Sequence, residues 1–172
     1  MKNCFRFWKG TEAAEIAEFA IVLQILLLLV LAMFWVGQAY NISNNLNKAA
    51  TDGLAAALKN TCATCGNTAA SKVQIADALE KAFQAGNLKA GNLQAYTPKS
   101  GTPACSGTAV SSVTSSTGVT YSLEICTGMP LWPASTTLGT RVAMQYSTPI
   151  ASPIAAFKSL TLQAVVQGRP EN

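Results

Sequence analysis

Histidine is absent from this chain, and that absence removes whole classes of chemistry. Without an imidazole, the Ser-His-Asp and Cys-His nucleophile arrangements and the histidine-based metal sites are all unavailable within it. Acids are scarce as well. Of the 172 residues only eight are Asp or Glu, and three of those, Glu12, Glu15 and Glu18, fall together near the N-terminus. Too few carboxylates remain elsewhere for paired acid-base work, so an enzyme is disfavoured and neither a cofactor nor a metal site is expected. A clustered basic face is missing too. Lys2, Arg6 and Lys9 account for three of the twelve Lys and Arg, and removing them from the formal +4 leaves +1, which gives nucleic acid no electrostatic footprint.

What the chain does have is one long apolar run. Between Phe19 and Val36 the only strongly polar side chain is Gln24. A helix rising ~1.5 Å per residue needs ~20 such residues to cross the hydrocarbon of a bilayer. The run therefore predicts a membrane span over residues 19–37. The basic residues before it place the N-terminus on the cytoplasmic side and the bulk of the chain across the membrane, in a single-pass arrangement. Trp35 and Tyr40 are set to anchor the far interface. The positive mean hydropathy comes mostly from this segment.

Glu12, Glu15 and Glu18 recur every three residues, one stripe on a helix at the membrane edge, where the N-terminal end of the macrodipole favours negative charge. Gly10, followed at the fifth position by Glu15 and then by an apolar helix, resembles the processing site of type IV prepilins. The wider stretch resembles the TadE-like family of minor pilins. Glu18, Phe19, Ala20, Ile21, Val22 and Leu23 match the first part of that family's signature, and Trp35 to Tyr40, Ala49, Ala50 and Gly53 match its later part. Two departures stand out. Gln24 occupies the position where the family usually has proline, so no proline kink is expected, and the Glu18-Phe19 pair lies further from the glycine than in the commonest pattern.

The resemblance implies a function. A prepilin peptidase would cut between Gly10 and Thr11, and Glu15 would pair with the new amine of Thr11, in its own or a neighbouring subunit. The partners implied are the lipid bilayer, that peptidase, other pilins and the inner-membrane platform that assembles the pilus, with the C-terminal domain periplasmic or extracellular. The implied organisation is a leader over 1–10, a TadE-like helix over 11–58 and an exported domain over 59–172. The alternative is a membrane-tethered or signal-cleaved exported binding domain unrelated to pili, for which Gly37-Gln38-Ala39 would serve as a cleavage site ahead of Tyr40.

Beyond the span, Tyr40, Ile42, Leu46, Ala50, Leu54, Ala57 and Leu58 keep near-helical spacing, so the helix is expected to continue to about Lys59. Ser71 is set to cap a second helix whose apolar face is Ile75, Leu79, Ala82 and Phe83 and whose stop is Gly86. Residues 86–118 are rich in Gly, Ser, Thr and Ala and read as a long surface connection with one edge strand near Thr108 to Val113. Three segments with period two follow, over 119–126, 141–146 and 160–167, each reading as a strand with one face on the helices and one toward solvent. Met129 to Pro133 and Pro149 to Pro153 read as irregular connections. The fold class expected is α+β, with a long N-terminal helix, a second short helix and a small antiparallel sheet of three to four strands.

Cys62 and Cys65 have the spacing of a thiol oxidoreductase, but they follow a long helix and lack a surrounding βαβ pattern, which disfavours redox chemistry. With Cys105 and Cys126 they make four exported cysteines, a disulfide framework in an oxidising compartment. Pairing Cys62 with Cys65 and Cys105 with Cys126 is favoured, and cross-pairing of the two sets is the alternative.

Overall fold

The computed structural model describes residues 11–58, 70–99, 102, 104–131, 138–149 and 159–169. The chain divides into two compact units between Tyr40 and Asn41. The first is the apolar part of helix α1 (Thr11–Leu58), whose side chains from Glu15 to Phe34 are all exposed.

The second unit is α+β. In the later part of α1, Leu46, Ala49, Ala50, Gly53 and Leu54 are buried, the i, i+3, i+4, i+7, i+8 pattern of a helix with one face on a core. Helix α2 (Lys72–Ala85) is set by its start: the Ser71 side chain accepts from the Gln74 backbone N–H at 3.2 Å, and the Gln74 side chain accepts from the Ser71 N–H at 3.1 Å. This reciprocal capping box satisfies two otherwise orphaned donors. Gly86 caps the other end in a right-handed conformation, its N–H bonded to Ala82 O, and Asn87 takes the positive φ of 51°. The two helices approach closely at Gly53, where a Cβ would stand 2.8 Å from Leu79 Cδ2. Asn45 Nδ2 adds a hydrogen bond to Gly86 O at 3.1 Å.

The sheet contains β1 (Leu93–Gln94), β2 (Thr108–Thr114), β3 (Thr120–Pro130), β4 (Leu138–Pro149) and β5 (Ser159–Gly168). All pairings are antiparallel, β2 with β3, β3 with β4 and β4 with β5, while the two-residue β1 also pairs β4. On the helix side, Tyr121, Leu123 and Ile125 of β3, Val142, Met144 and Tyr146 of β4 and Ala164 of β5 join the helix residues in one core. Phe83 meets Tyr121 edge-on, ring centroids 5.3 Å apart.

Three expectations are corrected. Met129 and Pro130 are not an irregular connection but the end of β3. A bulge between Thr127 and Met129 carries the strand past Gly128, whose φ of 74° suits glycine, and the register resumes with Met129 opposite Gly139. Likewise Pro149 closes β4, while Trp132, Pro133 and 150–153 lie outside the described residues. The 86–118 connection also contains structure of its own, a 3-10 turn at Ala90–Asn92 and strand β1, because Leu93 pairs with Tyr146 and is buried. Finally, the sheet face assigned to solvent is partly covered. Arg141, Ala143 and Cys126 on that face are 1%, 0% and 0% exposed. The cause is the chain after β1, which returns across this face and is held there by a disulfide between Cys105 and Cys126, their Cα atoms 5.7 Å apart.

Candidate functional site

The candidate site is the first part of α1. Glu15 and Glu18 are exposed and one helical turn apart, so their carboxylates share one face of the helix next to the apolar run that starts at Phe19. The backbone of Thr11 and Glu12 belongs to α1, but Gly10 and the side chains of Thr11 and Glu12 lie outside what is described. The structure thus places Glu15 and Glu18 together on one face of α1. The apolar run itself is exposed from Phe19 to Phe34 and again at Val36, with Phe19, Leu26, Leu28, Met33 and Val36 each more than half accessible. Among the described residues this is the one helix long and apolar enough to cross a membrane, and none of its apolar window is buried within the chain. A core helix of that composition would be covered by its own domain. This one needs an apolar surrounding from elsewhere, which fits a single-pass membrane anchor.

The polar groups of the second unit hold the fold together. Asp77 on α2 accepts hydrogen bonds from the Ser116 N–H (2.8 Å) and the Ser116 Oγ (2.9 Å), and Glu80 accepts from Thr117 Oγ1 through both oxygens, at 2.9 and 2.8 Å. These two acids thus grip the tight turn joining β2 to β3. The backbone and hydroxyl of Ser116, followed by Lys81, hold the Asp77 carboxyl below its ordinary pKa. Tyr121, buried beneath the same turn, is pushed above its ordinary value by that burial, with the charges of Glu80 and Asp77 adding to it.

On the opposite face Arg141 forms an ion pair with Glu124 on the neighbouring strand. Beside it, Gln94, Gln145 and Gln163 stand in register on β1, β4 and β5. Gln145 Oε1 accepts from Thr97 N–H (3.3 Å), Thr97 Oγ1 (2.9 Å) and Gln163 Nε2 (2.9 Å), and Gln163 Nε2 also reaches Thr97 O at 2.9 Å. The glutamines thereby stitch the returning connection onto the sheet. Sequence reading put Arg141, Glu124, Gln145 and Gln163 on outward-facing strand positions; the strand register that brings them together is not visible in the period-two pattern.

Among the described residues no group of three or more His, Cys, Asp or Glu side chains is arranged to hold a metal ion. Cys62 and Cys65 lie outside the described residues.

No curated protein and no solved structure matches this chain. A protein-family model does, over residues 13–54, all of them within α1, and its description is TadE-like protein. The matched stretch takes in Glu15, Glu18 and the whole apolar run and ends among the helix residues that pack on the α+β core. Over residues 13–54 the N-terminal helix is therefore similar to that of TadE-like proteins, which is consistent with a TadE-like pilin family.

Proposed function

We propose that this chain is a minor pilin, pseudopilin or assembly factor of a tight-adherence-type pilus or a related secretion apparatus, without catalysis of its own. The observation that carries this reading is the coincidence of the TadE-like match over 13–54 with a helix that is long and apolar enough to cross a membrane and whose apolar side chains are exposed among the described residues. A pilin-type subunit needs such a helix twice, first as its membrane anchor and then as the part that packs against other subunits.

In this reading residues 1–10 are a basic leader, 11–58 a helix whose span covers 19–37, and 59–172 an exported α+β domain. The leader stays cytoplasmic under the pull of Lys2, Arg6 and Lys9. A prepilin peptidase cuts after Gly10, exposing the amine of Thr11. Glu15, one helical turn on, offers that amine a carboxylate, and in the low dielectric of the membrane edge such a pair attracts far more strongly than in water. The disulfide between Cys105 and Cys126 suits an oxidising compartment for the domain.

N-terminal sequencing of the mature protein from membranes tests the reading. Thr11 as first residue is the expected result, and Gly10→Val should leave the leader uncleaved. A first residue of Met1 in the wild type would count against processing, and Tyr40 would indicate a secreted domain released from its signal.

A further inference from the structure

Between Phe19 and Val36 Gln24 is the one strongly polar side chain, and it is exposed on the surface of α1. Its carboxamide has no hydrogen-bond partner among the described residues. In water that would be unremarkable. In hydrocarbon a primary amide without partners costs several kcal/mol, a strong pressure to find a polar group on another helix.

The residues around Gln24 show what kind of helix fits. Ala17, Ala20, Gln24, Leu27, Leu31 and Phe34 recur at alternating intervals of three and four. At 3.6 residues per turn they stay within an arc of roughly 100°. This is the 3.5-residue seam of a left-handed helix pair, with alanines that admit close approach at one end and leucine knobs beyond. A single polar residue in such a seam sets register and partner.

We propose that Gln24 marks a self-association seam, in which two copies of this chain pack their N-terminal helices in parallel and the Gln24 carboxamides hydrogen-bond to each other within the bilayer. The inference rests on reading α1 as a membrane span. The occupant is a second copy for two reasons. All copies of a single-pass protein insert with the same orientation, so a parallel pair brings Gln24 to Gln24 at equal depth with no further condition. A carboxamide also carries both donors and an acceptor and is therefore complementary to itself. A different partner would have to present a polar group at that same depth.

The test uses the full chain in membranes. In a background with Cys4, Cys62 and Cys65 each replaced by serine, single cysteines are introduced by A20C, L27C and L31C on the seam and by V22C, L26C and L29C on the other side. Oxidation should give dimers from the first set and not from the second. Energy transfer between labelled full-length chains in phosphatidylcholine vesicles should show Q24L weakening association by roughly threefold to thirtyfold, with Q24N retaining it. Equal cross-linking from both sets, unchanged association in Q24L, or Gln24-dependent cross-links only to a different protein would overturn the proposal. Alkaline carbonate separates this from failure of the membrane reading: a chain that stays in the membrane fraction as a monomer defeats the seam alone, whereas one that is released defeats both.

Discussion

Asp77 shows how a single surface acid can be committed to structure. It lies on the face of α2 that helical periodicity assigns to solvent, yet its Oδ1 accepts two hydrogen bonds from Ser116 across the molecule. Its pKa is lowered in the fold, so the stabilisation it contributes is complete above the unfolded value of ~3.9 and is lost as pH falls through the lower folded value. Asp77→Asn keeps an acceptor but removes the charge. The thermal midpoint of that variant in detergent, followed from about pH 6 to pH 2, should fall less steeply than that of the wild type. Tyr121 acts at the other extreme. Its pKa is raised, so the unfolded state ionises first and stability should decline as pH climbs beyond ~10.

Arg141 and Glu124 provide a second residue-level test. Arg141 is 1% exposed, whereas its partner Glu124 keeps 21% of its side-chain surface in solvent. Removing the acid takes from a buried guanidinium the carboxylate that it pairs with on the neighbouring strand, so Glu124→Ala should cost about 3 kcal/mol in denaturant unfolding. Replacing both residues with apolar ones, Glu124→Leu with Arg141→Met, should cost clearly less, because no charge is then stranded.

At the scale of elements, the helix pair depends on the absence of a side chain at Gly53. A Cβ there would press on Leu79, which is fully buried and has little room to move. Gly53→Leu should therefore destabilise the α+β unit by about 1–3 kcal/mol, read as a shift in denaturant midpoint with unchanged slope. Gly53 was visible in the sequence only as part of the TadE-like resemblance, and its position on the buried stripe of α1 supplies the physical reason for it. The start of α2 was legible outright, because a serine followed three residues later by glutamine is a local signal. Strand β1 was not legible. Two residues carry no periodicity, and Leu93 is recruited only because Tyr146 of β4 lies opposite it. The end of β3 was hidden for a related reason: its bulge at Gly128 interrupts the alternation by which a strand is recognised.

At the scale of the whole molecule, the disulfide between Cys105 and Cys126 clips the returning connection to the sheet. It closes a loop with a sequence separation of 21, which on the chain-entropy model gives about 3 kcal/mol. Cys105→Ala with Cys126→Ala should lower stability by roughly that amount, and protease should cut near Thr97 to Gly107 faster than in the wild type, since among the described residues it is the hydrogen bonds of Thr97 with Gln145 and Gln163 that would still hold the start of that segment.

What the sequence determined by itself is whatever rests on local chemistry. The apolar length of α1, the cap of α2, the alternation of the long strands, the lack of histidine and the TadE-like pattern of residues 13–54 are all properties of neighbouring residues. Tertiary structure alone decided which face of the sheet is covered and by what. The period-two pattern assigned Arg141, Ala143 and Cys126 to solvent, and they are buried because a segment distant in sequence is bonded over them. It also decided that Asp77 and Glu80 would hold the β2–β3 turn rather than stand free. Such pairings depend on strand register and on loops closing over many residues, and no local periodicity encodes either.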